Sequence, residues 1–503
     1  MNIKKYFIFL FIFFICSCSN TINNREASVS IYNSVMNKNY QEALQMAQSD
    51  NFYSDENSKL LKLLDIATLQ YLNKNFYQSL KYFEKAKELS DDLYTKSLSR
   101  KALSAWDANL DIYYGETYEL SLIRFYISLV NYNIYQQGFY EEYIDENGII
   151  IPKKELTNNE KLFHLNYARS IIIEWDSFLK SIQNEEYGKA KYKNDLLAKI
   201  WGSFIHLEFN DKNDNQIALQ LYKDIDNVLL QNYNMYSIFN QKYSNFNKDF
   251  KKLSTLNYRQ LYTNYIEETN YSRELQEYAN KNIRNLQKNR KDNLVVLVKN
   301  NLISPKTVKQ IEIPFPLTMF GTNGSALYEF AQIIMLTNGD IPYILVEIPE
   351  ININKNINQY RLDVYDLENN QVATTNLVLI EPLSYIAKKE LEDKIVEIQT
   401  KIISRITTKY LAAIAASYSL YNQDNSMSKF SALLAFQASS KLINETSRAD
   451  IRYWITLLSD AQIGGIILPN GKYIIKIIQN NNEEIYQEEI EINNNTKFID
   501  LNF

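Results

Sequence analysis

Between Val29 and Arg290 the sequence carries one proline, Pro152. Proline inside a helix removes a hydrogen bond and clashes with the preceding turn. A stretch this long and almost free of it, with apolar residues recurring at steps of three and four, reads as α-helix throughout. After Asp292 the pattern changes. Leu294 to Val298 is an unbroken aliphatic run, the signature of a strand buried on both faces. Pro314 and Pro316 break the chain, and Ile341 to Ile348 reads as a further strand. Tyr360, Leu362 and Val364 then alternate with Arg361, Asp363 and Tyr365, a period of two. Val378 to Ile380 ends the block at Glu381-Pro382. Leu391, Ile395, Ile398, Ile402, Ile406, Tyr410 and Ile414 form one helical stripe, with Lys388, Glu392, Lys394 and Glu397 largely off it. A second helix is expected over 428–443, and small residues at Ala412, Ala413, Ala415 and Ala416 permit close packing of the two. Beyond it, Pro469-Asn470-Gly471 makes a tight turn between strands.

These signals predict an α + β multidomain chain: a helical domain over 29–290, a β block over 293–383, a helical hairpin over 384–445 and a C-terminal β block over 446–503. The two β blocks are expected to join in one β-sandwich-like domain that the hairpin interrupts.

The helical half contains echoes of itself. Asn39-Tyr40-Gln41-Glu42-Ala43-Leu44 returns 36 residues later as Asn75-Phe76-Tyr77-Gln78-Ser79-Leu80, and Gly138-Phe139-Tyr140-Glu141-Glu142-Tyr143 is a further echo. The unit from Leu60 to Asp91 resembles a tetratricopeptide repeat, with Leu63, Ile66 and Ala67 on its first helix and Ser79, Phe83 and Ala86 on its second. A weaker unit pairs Trp201–Phe209 with Asn215–Leu230. A generic helical bundle is the competing reading, since the periods are irregular.

The N-terminus has the pattern of a secretory signal. Lys4 and Lys5 precede an apolar run, Tyr6 to Ile15, which is too short to span a bilayer. The run Ile15-Cys16-Ser17-Cys18 resembles the lipobox of bacterial lipoproteins. That resemblance implies a signal peptide over 1–17, Cys18 as the lipidated first residue of the mature chain, and a polar tether over 18–28. Ser19 after Cys18, by likeness to enterobacterial sorting, points to the outer membrane. Cys16 leaves with the signal, so Cys18 is the only cysteine of the mature chain and no internal disulfide or Cys-ligated metal site is expected.

Composition closes several options. The balance of 54 basic and 59 acidic residues, without a polybasic run, argues against nucleic acid as a partner. The only histidines, His164 and His206, fall in no metal-binding spacing. No nucleophile elbow, Walker loop or dinucleotide fingerprint occurs, so no catalytic residue, metal or cofactor is assigned and the chain is read as no enzyme. Gly464-Gly465 reads as a bulge or bend. Glu141-Glu142 is placed on a solvated helix face.

Three segments together resemble an uncharacterised family of bacterial lipoproteins with N-terminal tetratricopeptide-like repeats and a β-containing C-terminal half: Tyr114-Gly115-Glu116-Thr117-Tyr118-Glu119, Asn293 to Pro316, and Arg448-Ala449-Asp450-Ile451-Arg452-Tyr453-Trp454. The family carries no activity to transfer. Its members tend to be encoded near lipoproteins that resemble activators of penicillin-binding proteins, which points toward the cell envelope. Gly115, Glu116, Asp450, Arg452 and Trp454 become the candidate interaction residues or a structural clasp. If Asp450, Arg452 and Trp454 share a strand face, Arg452 is set to bind a carboxylate or phosphate and Trp454 to stack on it. The resulting expectation is a membrane-anchored periplasmic scaffold for other envelope proteins, engaged in cell-envelope assembly, with peptidoglycan synthesis as the candidate pathway. The alternative is a surface glycan- or nutrient-binding lipoprotein. Its test is whether Trp106, Trp175, Trp201 and Trp454 are exposed.

Overall fold

The computed structural model describes residues 18–97, 112–144, 148–184, 194–232, 234–242, 266–314, 325–337, 343–353, 357–422, 424–446, 448–480 and 483–503. Among these residues the chain is mixed α/β, with twelve α-helices and several small sheets, none of them closed. Nine helices precede the main strands: α1 (Cys18–Met36), α2 (Tyr40–Gln48), α3 (Lys59–Leu72), α4 (Phe76–Ser97), α5 (Thr117–Gln137), α6 (Asn158–Asn184), α7 (Leu196–Leu207), α8 (Lys212–Gln231) and α9 (Asn270–Gln287). The helices from α1 to α8 pack against their sequence neighbours, and α9 lies on α8. Small side chains sit where the helices of a pair meet: Ser79 and Ala86 on α4, and Ala218 on α8, are fully buried. Ser79 also donates to the Ala67 carbonyl of α3 at 2.8 Å.

Two expectations for this half are corrected. Residues 18–28, expected as a tether, lie on helix α1. From Asn24 their polar groups serve the folded body: Asn24 Oδ1 accepts from the Tyr53 N–H at 2.9 Å, and Arg25 donates to the Ala449 carbonyl at 3.0 Å. The echo at 138–143 is not helical. Gly138, at φ +76°, ends α5 in the left-handed conformation that glycine adopts without cost. Phe139–Tyr140 and Tyr143–Ile144 then form short strands, pairing with Lys154–Glu155 and Ile150–Ile151. Glu141 reaches back to cap α4, accepting from the Phe76 and Tyr77 N–H groups at 3.1 and 3.2 Å; these are donors that the first turn of a helix cannot satisfy itself.

Ten strands follow: β1 (Leu294–Leu302), β2 (Lys306–Pro314), β3 (Tyr343–Ile351), β4 (Tyr360–Tyr365), β5 (Gln371–Asn376), β6 (Val378–Glu381), β7 (Leu458–Ile466), β8 (Gly471–Gln479), β9 (Glu483–Ile492) and β10 (Lys497–Asn502). One sheet has the order β6-β7-β1-β10, antiparallel except for the β1/β10 pair. The other has the order β5-β4-β8-β9 and is antiparallel throughout. Both sheets mix strands from before and after the helical hairpin.

The aliphatic run of β1 follows from its place. Leu294, Val296 and Val298 join Leu362, Val364, Ile475, Ile477 and Ile490 in a core between the two sheets. Val295 and Leu297 point the other way, into a core shared with the helices. A strand covered on both faces has no position for a polar alternation. Within β7, Gly464 and Gly465 stay in register with Val296 and Val295 rather than forming a bulge. A Cβ at Gly465 would strike Asp292, whose carboxylate holds Lys281 at 3.3 Å.

A third body projects from this pair of sheets. The β2–β3 ribbon, helix α10 (Ala326–Thr337) and the outer parts of α11 (Leu383–Tyr418) and α12 (Ser426–Thr446) share their own core of Phe330, Ile334, Val346, Ile402, Ile406, Tyr410, Ile414 and Phe436. The stripe read on α11 spans two cores. Its first turns, with Leu383, Ile386 and Leu391, pack on the main body, and its later turns pack in the projecting one. Helix α10 falls inside the segment expected to be wholly β.

Candidate functional site

The candidate residues converge at the seam where α3 and α5 meet the segment leading into β7. Gly115 sits at φ +82°, and a Cβ there would come within 2.8 Å of Leu120 Cδ2. Its backbone turn delivers Glu116 to the N-cap of α5. Glu116 and Glu119 form a reciprocal capping box, and the Glu116 N–H donates to Glu119 Oε2 at 2.9 Å. The same oxygen accepts from Tyr113 Oη at 2.6 Å, while Oε1 accepts from the Trp454 N–H at 2.9 Å. Glu119 is fully buried, and desolvation pushes its carboxyl above the usual range despite Lys306 nearby.

Glu116 shows the opposite balance. Burial opposes its ionisation, but Lys306 Nζ and Lys394 Nζ each lie 2.8 Å from its oxygens and hold the carboxyl well below the usual range. Lys394 also pairs with Glu390 at 2.5 Å. One carboxylate at a helix N-terminus thereby ties α5 to β2 and to α11.

Residues 448–454 are irregular backbone, not a strand, so Asp450, Arg452 and Trp454 share no ladder face. Asp450 and Arg452 pair with each other, at 2.7 Å from Nη2 to Oδ2 and 3.0 Å from Nε to Oδ1, and the Arg452 N–H donates to the same carboxylate at 3.0 Å. Arg452 Nη1 reaches Ser58 Oγ at 3.3 Å, and the ring beneath its guanidinium is Tyr113, at 5.5 Å. Trp454 turns into the core instead. It packs on Phe83 and Tyr126 and donates from Nε1 to Thr68 Oγ1 at 3.0 Å. The shared face on which Arg452 and Trp454 would meet one ligand is thus replaced by two separate contacts, because the chain turns inward at Trp454 rather than alternating.

Three further groups at this seam had no sequence signal. Asp65 on α3 accepts from the N–H and the hydroxyl of Thr456 through Oδ1 at 3.0 and 2.9 Å. Its other oxygen is buried without a hydrogen bond, and burial raises the carboxyl to about 7. Lys299 on β1 pairs with Asp500 on β10, which also accepts from Tyr71 Oη on α3 and, at 3.0 Å, from Asn133 on α5. Beside this group Tyr40, Leu72, Tyr126, Leu302, Leu458 and Phe503 line a cleft of about 130 Å3.

The histidines are also engaged. His164 bonds Tyr140 at 2.8 Å and Asn131 at 2.7 Å, and burial lowers it to about 4. His206 pairs with Asp214, which holds Arg169 at 2.8 Å. Among the described residues no three His, Cys, Asp or Glu side chains are grouped to hold a metal ion. Trp175, Trp201 and Trp454 are buried; Trp106 lies outside the described residues. Cys18 lies on α1. No described helix is long and apolar enough to cross a membrane.

Comparison of the chain with protein-family models, curated proteins and solved structures returns no match.

Proposed function

We propose that this chain is a lipid-anchored protein of the bacterial cell envelope, held by acyl groups on Cys18, and that it is no enzyme but a scaffold for other envelope proteins.

 The observation that carries this reading is the join between Cys18 and the folded body. The lipobox-like run ends at Cys18, Cys18 lies on α1, and by Asn24 and Arg25 that helix is bonded to the body through Tyr53 and Ala449. Six residues of helix span about 9 Å, so an acylated Cys18 would hold the body close to the bilayer surface. Confinement to one surface raises the effective concentration of any partner held there.

The finer reading of the architecture belongs to the same proposal. The α3/α4 and α7/α8 pairs, with small residues at their contacts, support tetratricopeptide-like units. The core shared by the two four-stranded sheets supports a sandwich-like domain. The seam through Glu116, Glu119, Arg452 and Trp454 is read as a clasp between the two. With the inner sheet packed on the helices, partner contacts fall to the outer helical surface and the projecting body. The likeness to lipoproteins near penicillin-binding-protein activators makes peptidoglycan assembly the pathway to test. The glycan-binding alternative has less support, since the described tryptophans are buried and offer no stacking platform.

The test is cross-linking of tagged protein in its native cells, with Cys18→Ser as the control. Recovery of cell-wall synthases or their activators, lost in the control, is the expected result. Recovery of an outer-membrane importer would favour the glycan reading, and absence of any specific partner would overturn the scaffold.

A further inference from the structure

The projecting body leaves an apolar surface uncovered at its far end. Between Lys409 and Lys441 the sequence carries only two charged residues, Asp424 and Lys429. Within that span Leu420, Met427, Phe430 and Leu434 are 48–71% exposed. Met427, Phe430 and Leu434 recur at steps of three and four, which places them on one face of α12. The opposite face is accounted for, with Ala432 and Phe436 in the third core. Tyr418 and Tyr421 lie half-buried at the same end, and an aromatic with a polar tip suits the boundary between apolar and aqueous phases. An exposed apolar stripe with this little charge marks a contact surface.

The course of α1 says what covers it. At its C-terminal end, Val35 and Met36 line the cleft against Leu302 and Phe503 of the main body. Toward its N-terminal end, Arg25 bonds the Ala449 carbonyl just beyond α12 and faces Glu347 on β3 at 3.7 Å. Helix α1 therefore runs from the sheets toward the projecting body, and Cys18 lies seven residues, about 10 Å, beyond Arg25. The candidate anchor therefore leaves the main body beside the base of the body that carries the apolar stripe.

We infer that the end of the α11/α12 hairpin is a second membrane contact, inserting Met427, Phe430 and Leu434 into the interface of the bilayer that holds Cys18. The inference rests on the lipid-anchor reading. Two attachments fix the orientation of the body on the membrane, where one lipidated residue alone leaves it free to swivel. Insertion of a few apolar side chains is a weak attachment by itself and a strong one beside an anchor, because the second contact becomes intramolecular.

The experiment uses the full-length protein, processed in its host, purified and reconstituted into phosphatidylethanolamine–phosphatidylglycerol vesicles. An environment-sensitive fluorophore is placed on Met427→Cys or Phe430→Cys, with Lys472→Cys on β8 as a reference. If Cys18 is acylated, the introduced thiol is the only one in the mature chain. Flotation with the vesicles reads the anchor, and fluorophore emission reads the hairpin. The expected result is blue-shifted emission at 427 and 430, quenched by nitroxide lipids, with aqueous emission at 472. Aqueous emission at 427 and 430 in protein that floats overturns the hairpin contact and leaves the anchor standing. A blue shift without lipid quenching, accompanied by cross-links between copies, also overturns it, by making the stripe a self-association surface. Protein that carries no acyl group yet floats with quenched 427 and 430 supports the hairpin and refutes the anchor.

Discussion

The seam and the projecting hairpin are built on different principles. At the seam, α3, α5, β2, α11 and the 449–456 segment are joined by carboxylates, each bonded to several partners: Glu119 to three donors, Glu116 to two ammonium groups, Asp65 to both donors of Thr456. In the projecting body the core is a set of apolar side chains on a long helical stripe. Buried polar groups are costly when a partner is lost and demand one geometry. Apolar packing tolerates substitution more readily and specifies less. On this contrast the seam should unite the helices and sheets into one cooperative unit, while the hairpin should open on its own.

The largest effect is expected at the buried ion pair behind the seam. Lys299→Met leaves Asp500 uncompensated and should destabilise by about 3–5 kcal/mol, with the Lys299→Met/Asp500→Leu double variant recovering most of the loss in denaturant melts. Recovery is the sharper arm, since it separates the cost of a stranded charge from the cost of lost packing.

In the hairpin, Phe436→Ala should cost about 3–5 kcal/mol locally. Hydrogen exchange is the check. Faster exchange confined to α10, the outer turns of α11 and α12 supports the contrast; equal loss of protection across α3 and α5 would break it.

The seam should also carry a pH dependence that the hairpin lacks. Asp65 is raised to about 7 from an ordinary value near 4. The folded chain then holds a proton that the unfolded chain has released, so stability falls as pH rises through that window. Asp65→Asn should flatten the fall between about pH 4 and 7. Glu116 acts with the opposite sign, its stabilisation being lost as the pH drops below the usual carboxylate range. A seam whose melting is insensitive to Asp65→Asn would contradict this reading.

The smallest effect is at Gly115. Gly115→Ala meets both a positive φ and Leu120, and about 1–2 kcal/mol is expected, read as a drop in melting temperature.

What sequence reading recovered follows the same division. The α11 stripe, the α3/α4 pair and the two-sided burial of β1 were legible because period and composition are local signals. Helix α10 was missed although Leu327, Phe330, Ala331 and Ile334 repeat at helical steps, because strand-like runs flank it. The seam was half legible: Glu119 links the Glu116 turn to Trp454 and Tyr113 lies beneath Arg452, yet the further partners, Lys306, Lys394, Ser58 and Thr68, are far away in the chain and unmarked by any motif. The tether over 18–28 failed as an expectation because polar composition describes a solvated linker and a helix bonded to its neighbours equally well.

Acylation of Cys18 is the measurement that tests the account most directly. Intact mass of the protein extracted from its native membranes, compared with the Cys18→Ser variant, should show a mature chain beginning at Cys18 and carrying acyl groups, absent from the variant. A mature chain without acyl mass, recovered in the soluble fraction, would contradict the anchored reading.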